Sequence, residues 1–473
     1  MWKRPATVYL TILVALIAVE SIPAAWAQET EKAEGVQRMV KPAPAQPMTM
    51  AVEIPANRTA DAVMIMACAA LALLMTPALG LFYGGMVRRK NVLSAFQQAF
   101  ILLGIVPVQW FLAGYSLSFG PDVGGGCLGG LQWFGLVGVG LEPNVELAPR
   151  IPHQLLMIFE MMVAVFTAAL ISGAIAERMK FGAYVVFIAL WTTLVFDPVA
   201  HWVWGPGGWI RRMGALDFAG GLVIHLTSGL AALCSVWVLG KRKGLDTEDL
   251  HPHNLTLTAL GTGLLWFCWL GLNAGQARGA TSAGAASVVA TILAGSAAIV
   301  SWGGLEYLHK RRVTVLGVCT GAIAGLVAVT PAAGYVTPTG ALVLGILVCP
   351  FVYGAIVVKG KLGYDDSLDV FGVHGVGAIV GVLALGVLAT PGLTGGAGGL
   401  LNGNADLLFA QAIAVAAVAV YTVILTLALL TLVDRVMGLR VSAEDEDLGL
   451  DLTQHGQRGY MMGEGELIGI VPK

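Results

Sequence analysis

Two histidines stand near the start of long apolar segments, each shortly after an aspartate. Asp217 is followed by a Phe- and Gly-rich turn and then His225, and Asp369 is followed by a similar turn and then His374. An imidazole inside a bilayer-length segment is costly, so it commonly marks a transport pathway or a proton relay. Because imidazole titrates near physiological pH, it exchanges protons that an apolar lining cannot. The two stretches predict histidines that face each other across a pore; the alternative is two polar contacts between helices.

A third chemically active group is Glu160, which interrupts the otherwise apolar stretch from Leu155 to Ile171. A charge at that depth costs at least about 2.5–3.5 kcal/mol unless it faces water or a partner. A position facing a water-filled vestibule would relieve this cost and attract a cation. The alternatives are a protonated carboxyl or a contact that bridges two helices.

The remaining acidic residues of interest precede apolar segments. Asp217 can accept hydrogen bonds from first-turn amides as an N-cap. Asp365, Asp366 and Asp369 precede the segment of His374, where carboxylates favour the positive end of a helix dipole. Paired carboxylates also occur in acid–base catalysis and in metal sites, but this position favours the electrostatic role.

These groups must be positioned within a membrane. The chain has 473 residues, of which 57% are hydrophobic and 12% charged, whereas soluble chains carry about 25% charged residues. The net charge of −2 and the absence of a basic block give no indication of nucleic-acid binding. The six cysteines follow no CxxC spacing and indicate packed thiols rather than a metal site. We expect an all-α membrane protein with eleven spans, near 61–85, 92–118, 153–175, 181–204, 217–240, 254–275, 281–305, 314–332, 339–358, 371–390 and 406–434.

Basic residues test this count independently. They follow each odd-numbered segment, whereas the alternate loops hold only Arg150, Arg211, Arg212 and Arg278. The positive-inside rule then predicts an N-terminus outside and a C-terminus in the cytoplasm. Residues 1–27 are typical of a cleaved signal peptide, and 28–57 of a short lead on the outer side. We expect the transporter domain at 58–434 and a charged cytoplasmic tail at 435–473.

Five segments end with the first histidine stretch and five more with the second. Because five is odd, the two halves have opposite orientations, which predicts a 5+5 inverted repeat with one added helix. Substrate sites of such transporters tend to lie between the halves, where the two histidines would meet.

Longer motifs point to one family. In chain order they are Phe82-Tyr83-Gly84-Gly85, Arg88 with Asn91-Val92, Ala176-Glu177-Arg178, Asp217 with His225, Asn273-Ala274-Gly275, and Asp365-Asp366 through His374. In these motifs the sequence resembles the ammonium transporters of the Amt/Mep/Rh type, bacterial Amt branch. The resemblance implies a homotrimer in the bacterial inner membrane, with a hydrophobic pore in each protomer. It also implies ammonium, ammonia or methylammonium as substrate, no cofactor and no enzymatic activity.

The resemblance implies roles for single residues. His225 and His374 correspond to the family's twin-His pair, near which ammonium loses its proton before ammonia crosses. Asp217 would order the outer vestibule and favour a cation there. Trp191 matches a vestibule tryptophan, with a place in the aromatic belt as the alternative. We interpret Trp202, Trp204 and Trp209 as belt residues.

The chain also departs from the family pattern. Val163 and Leu272 stand where two gating phenylalanines are common, and Gln276 stands where a serine helps to bind the cation. Glu160 falls where most members have a neutral residue. We expect an aliphatic gate with a carboxylate beside it, although Phe159, Phe166 or Phe267 could restore an aromatic gate.

The tail indicates regulation, with a purely solubilising role as the alternative. Gly438 to Val441 and Gly449 to Gly456 resemble the family segment that contacts neighbouring protomers and a PII-type regulator. Two other functions compete with transport. One is an ammonium sensor of the same fold with little flux, which the altered gate favours. The other is an intramembrane metalloenzyme, which the absence of an HExxH motif disfavours.

Overall fold

The computed structural model of the protein describes residues 58–460, with the exception of positions 246 and 249. The predicted signal peptide at 1–27, the lead at 28–57 and the end of the tail at 461–473 lie outside these residues. Within the described residues the chain is helical and contains no β-strand, only two isolated bridges. The predicted all-α class is confirmed.

The described residues include eleven helices long and apolar enough to cross a membrane, as predicted. Helices α1 to α11 are, in order, Arg58–Met86, Arg89–Phe119, His153–Ile175, Phe181–Met213, Gly221–Leu239, Leu255–Gly275, Ser282–Lys310, Val315–Ala332, Pro338–Leu362, Phe371–Leu388 and Asp406–Met437. Two short helices follow, α12 (Ala443–Leu448) and α13 (Leu450–His455).

Side chains at the loop junctions fix where several helices begin. Asn254 caps α6 by accepting from the backbone N–H of Leu257, and threonines at 281, 314 and 337 cap α7, α8 and α9 in the same way. Such caps satisfy amides that have no partner within the helix. The apolar segments therefore start at defined residues.

The two halves pack in corresponding ways. The first helices of the two halves, α1 and α6, pack along each other. The last helices of the two halves, α5 and α10, cross each other. Both crossings bring backbones together at a glycine. A Cβ on Gly261 of α6 would lie 2.4 Å from the amide nitrogen of Phe82, and one on Gly229 of α5 would lie 2.3 Å from that of Gly375. Small residues permit such close approach between membrane helices.

Wider π-helical turns interrupt four of the spans. They lie at Trp110–Gly114 in α2, Thr192–Phe196 in α4, Gly221–Leu226 in α5 and Phe371–Val376 in α10. Such turns are rare and often occur at functional sites. The π-helical turns of α5 and α10 contain His225 and His374. The hydrophobic pattern of the sequence predicted the spans but not these turns.

The bundle has two ends. The tail face carries α12, α13, the start of α2 and the loops that follow α3 and α5, since Lys90, Lys180 and Lys243 all contact the tail. The opposite face carries the long loop between α2 and α3 and the loop between α6 and α7. Helices α3 and α6 run antiparallel between these faces.

Candidate functional site

His225 and His374 meet at the crossing of α5 and α10. Their Nδ1 atoms are 3.2 Å apart, and the ring centroids are 5.2 Å apart with an angle of 25° between the planes. Both rings are buried. A neutral imidazole donates from one nitrogen and accepts at the other, so the short contact holds one N–H between the two Nδ1 atoms. The facing arrangement that the sequence predicted is present in the structure.

An aromatic column continues from His225 toward the opposite face. The indole of Trp269 on α6 stacks on His225 at 5.3 Å, and Phe166 of α3 contacts Trp269 edge-on at 5.8 Å. Trp269 is the functional candidate that sequence reasoning missed most plainly. Trp269 precedes Leu272 by three residues and Gln276 by seven, so the three side chains share one face of α6. This spacing is the sequence signal that could have identified Trp269 as a site residue.

Helices α3 and α6 supply matched positions in three layers. Phe166 and Trp269 form the first layer, Val163 and Leu272 occupy the next turn, and Glu160 and Gln276 the one above. The spacing of three or four residues places side chains on the same helix face. Phe166 comes six positions after Glu160, a rise of about 9 Å along the helix. Val163 and Leu272 are fully buried, so the layer between the carboxylate and the aromatic column is aliphatic.

The top layer is a polar cluster of Glu160, Gln276 and Arg278. The Gln276 side-chain amide donates to Glu160 Oε2 at 3.1 Å, and a guanidinium nitrogen of Arg278 lies 3.6 Å from Glu160 Oε1. Glu160 is only 1% exposed. The structure agrees with the predicted alternative of a helix-bridging carboxyl, because Glu160 is buried and joins α3 to the end of α6. Arg278 was not singled out from the sequence.

Asp217 caps the π-helical turn of α5. Its carboxylate accepts from four backbone amides, those of residues 220 to 223, at 2.7–3.2 Å. Burial raises the pKa of Asp217 above its ordinary value, although the four amide bonds favour the charged form. The indole N–H of Trp204 donates to the Asp217 carbonyl at 2.9 Å. Asp217 therefore acts as a helix cap, and Trp204 is the tryptophan beside it.

Several aromatic residues lie elsewhere than expected. Trp191 is fully buried and donates to Thr426 Oγ1 of α11, so the structure does not bring it to the polar cluster. Phe267 is 56% exposed on the outside of α6 and cannot restore an aromatic gate. Phe159 packs over Gly275, at the level of the polar cluster. Trp202 and Trp204 are buried and are not belt residues.

A small cavity continues from His374 toward the tail face. Its volume is about 30 Å³, and its lining includes His374, Tyr83 and Asp369. A water-sized molecule fits such a space. Asp369 of this lining is paired with Lys359. The paired carboxylates suggested by the sequence thus have separate partners, because Asp365 pairs with Arg242 through two hydrogen bonds from the guanidinium at 2.9 Å.

Ion pairs surround the tail-face end of the helices. Glu177 accepts from the backbone and side chain of Arg88, and a guanidinium nitrogen of Arg242 lies 3.6 Å away. Burial by itself would raise the pKa of Asp365, but the Arg242 and Arg178 guanidiniums lower it below its ordinary value. Among the described residues, no group of three or more His, Cys, Asp or Glu side chains is placed to hold a metal ion.

Eleven helices long and apolar enough to cross a membrane, with a column of buried side chains between the two halves, are typical of a multi-pass membrane transport protein. Comparison with known proteins identifies the family. The model of the Ammonium Transporter Family matches residues 63–460, so the chain belongs to that family and is a membrane transporter, not an enzyme.

Individual relatives agree with this assignment. The chain is 48% identical to an ammonium transporter of Bacillus subtilis over 404 residues, covering 85% of this chain and 98% of the relative. It is 43% identical to the ammonium transporter Amt1 of Archaeoglobus fulgidus over 396 residues, covering 84% and 98%. The crystal structure of Saccharomyces cerevisiae Mep2 is similar with a TM-score of 0.79 and 34% identity, covering 88% of this chain and 93% of that one. A structure titled "Sensor Amt Protein" has a TM-score of 0.78 and 26% identity, covering 84% and 99%.

Proposed function

We propose that the protein recruits ammonium at the polar cluster, removes its proton, and passes ammonia between His225 and His374 while the proton crosses separately. The contact between the two Nδ1 atoms at 3.2 Å carries this proposal. Two buried imidazoles within an apolar column are costly as packing residues, and they provide the proton exchange that the surrounding side chains lack.

The apolar layers support movement of a neutral species. Val163, Leu272, Phe166 and Trp269 offer no charge that would replace the hydration shell of an ammonium ion. Ammonia is neutral and water-sized, so it pays much less to cross these layers. The cavity beyond His374 is large enough for one such molecule on the way to the tail face.

Recruitment is assigned to the opposite face. Glu160 and Gln276 provide oxygen acceptors at the level where the pathway becomes apolar, and Asp217 adds a buried carboxylate that orders the start of α5. Trp204 takes the aromatic role expected of Trp191, because its indole adjoins Asp217. Val163 and Leu272 form an aliphatic gate below the cluster.

The proposal extends to the membrane setting and the partners of the protein. We place the tail face in the cytoplasm and the opposite face outside a bacterial inner membrane, because basic residues gather on the tail face. A homotrimer and a PII-type regulator bound near the tail are further proposals from the resemblance. Exposed apolar side chains on α1, α6 and α7, such as Met66, Leu260 and Val289, are available to lipid or to a neighbouring protomer.

Solid-supported-membrane electrophysiology on proteoliposomes tests the mechanism. An ammonium jump should evoke a current in the wild type, and replacing both histidines by leucine should reduce it to the level of empty liposomes. The His309→Leu variant is the control, because His309 bonds to Tyr353 away from the column. An undiminished current from the double-leucine variant would remove the proposed mechanism.

A second function is an ammonium sensor with little flux. The similarity to the structure titled "Sensor Amt Protein" and the ion pair at the mouth of the column favour it. Ammonium binding to the purified protein without any current in liposomes would support a sensor over a transporter.

A further inference from the structure

The polar cluster contains a cation supplied by the protein itself. Arg278 lies within ion-pair distance of Glu160 Oε1, and that oxygen has no hydrogen-bond partner among the described residues. Gln276 engages the other oxygen. The carboxylate therefore presents one lone acceptor to a positive group, in the layer directly above the apolar part of the column.

The loop between α6 and α7 fixes the backbone of Arg278 and thereby aims its side chain at Glu160. Arg278 has a φ of 54°, in the left-handed region that non-glycine residues seldom adopt, so the fold must impose this conformation. Its guanidinium also donates to the Leu147 carbonyl at 2.6 Å. Buried Asp61 of α1 anchors the loop by accepting from the amide of Ala280 and from both sides of the Arg150 guanidinium.

The pair is positioned to be exchanged rather than locked. At 3.6 Å the guanidinium and Glu160 Oε1 attract each other without a hydrogen bond of normal length. The Arg278 side chain is 22% exposed, so it has solvent to move into, whereas Glu160 is enclosed. A buried carboxylate left without a positive partner is unfavourable, so departure of Arg278 creates a demand for another cation.

We propose that Arg278 competes with ammonium for Glu160 and that their ion pair closes the mouth of the pathway in place of an aromatic gate. A small monovalent cation with N–H donors replaces the guanidinium on Glu160 Oε1, and the guanidinium returns when the cation leaves or loses its proton. This inference deepens the proposed function and rests on it. It assigns Arg278, which was not expected from the sequence, a part in setting the affinity for ammonium.

The experiment compares the ammonium concentration for half-maximal current among four variants in proteoliposomes. Arg278→Gln should lower it on the order of tenfold, because the internal competitor is gone. Glu160→Gln should raise it, because Arg278 is left as an unbalanced positive charge that repels ammonium. The double variant with Glu160→Gln and Arg278→Gln should have a half-maximal concentration well below that of the Glu160→Gln single variant. The half-maximal concentration of Arg278→Lys should stay near that of wild type.

Arg212→Gln is the matched control, because Arg212 is on the same face and donates to the Gly125 carbonyl outside the cluster. A purely structural role of Arg278 predicts instead that the double variant is as impaired as either single one, which would overturn the inference. So would an unchanged half-maximal concentration in Arg278→Gln. If wild type gives no current, the proposed function fails, and calorimetric titration with ammonium chloride must then show the same order of affinities. If the histidine variants lose current but the half-maximal concentration is the same in all Arg278 variants, only the inference about Arg278 fails.

Discussion

His225 and His374 touch through Nδ1, but the remaining nitrogen of each ring has different surroundings. Nε2 of His225 is buried and has no hydrogen-bond partner among the described residues, and its ring is covered by Trp269. His374 instead lines the cavity that leads toward Asp369 and the tail face. Of the two rings, His374 is therefore the one that lines a water-sized cavity on the tail-face side, whereas His225 is covered by Trp269.

Asp366, at the foot of α10, makes stability depend on pH. It is buried, and its Oδ2 accepts from the amide of Phe371 at 2.8 Å. Burial raises its pKa from 3.8 to about 6. Because the folded-state pKa is the higher one, Asp366 contributes stability fully below the unfolded value and loses it as the pH rises through about 6. The difference between the unfolded-state and folded-state pKa values of Asp366 corresponds to a stability contribution of about 3 kcal/mol at most.

We therefore expect the melting temperature of the wild type in detergent to fall between about pH 4 and pH 6 more steeply than that of Asp366→Asn. Differential scanning fluorimetry across this range measures the difference. Asp406→Asn, at an exposed aspartate, should behave like wild type. If Asp366→Asn keeps the full pH dependence, the buried protonated carboxyl is not its origin.

At the residue scale the sequence was informative where a group was chemically unusual in its segment. The histidines and Glu160 stood out because each is polar within an apolar run, and the structure brings His225 to His374 and Glu160 to Gln276. Arg278 did not stand out, because it lies in a short loop where no periodicity predicts the direction of a side chain. Its left-handed φ turns it toward Glu160, and only the structure reveals that turn.

At the scale of helices, depth explains the wrong placement of Trp191. It is the eleventh residue of α4, so it lies about 15 Å from the tail face, near the middle of a bilayer. Trp204 is one π-helical turn and two helical turns further along, at the level of Asp217. Counting residues along α4 from the basic cluster at 178–180 would have identified Trp204 as the vestibule tryptophan. Motif similarity alone selected Trp191 instead.

The eleven spans could be predicted because length and hydropathy decide them, and the symmetry of the halves predicted that α5 and α10 meet, but not how closely their backbones approach. This closeness depends on Gly229, where a Cβ would meet the backbone of Gly375. The π-helical turns that aim the two histidines also leave no hydrophobic pattern, since they insert a residue without changing composition.

Gly229→Ala should therefore push α5 and α10 apart and separate the two imidazoles. We expect a loss of stability of about 1–3 kcal/mol or more from overpacking, together with a reduced ammonium current. Gly263→Ala on α6 is the matched control, because nothing lies within 4 Å of its added Cβ. Thermal unfolding in detergent and currents in proteoliposomes give the two readouts. A Gly229→Ala variant with wild-type stability and current would contradict this prediction, because α5 and α10 would then accommodate the added methyl group without separating the histidines.

At the scale of the whole molecule, the tail binds the start of α2 and the loops of the first half. Leu450 donates its amide to Asn91 in the first turn of α2, and Asp451 accepts from the amide of Ser94. Lys180 donates its backbone amide to the Leu439 carbonyl, which ties the loop after α3 to the residues following α11. The alternation of basic loops predicted that these segments share a face, and the contacts agree with it.

Glu446 on α12 is the centre of this attachment. It is buried and accepts from the backbone amide of Lys243 and from the guanidinium of Arg440 at 2.8 Å. Arg440 in turn donates to the carbonyls of Leu239 and Lys241, at the end of α5. Removing the carboxylate takes the acceptor from two part-buried donors, and because Arg440 is partly exposed the expected cost is near the lower end of the roughly 1.5–3 kcal/mol of a charged hydrogen bond.

We expect Glu446→Ala to loosen the tail while the spanning helices stay folded. Hydrogen–deuterium exchange should become at least about tenfold faster across residues 443–455, the factor that corresponds to 1.4 kcal/mol, with little change in α5 or α10. Glu444→Ala, two residues earlier and exposed, should leave exchange unchanged. Because Arg440 joins Glu446 to the end of the helix that carries His225, the ammonium current should change along with tail exchange in Glu446→Ala. A loosened tail with an unaltered current would show that the attachment is structural and does not reach the histidine pair.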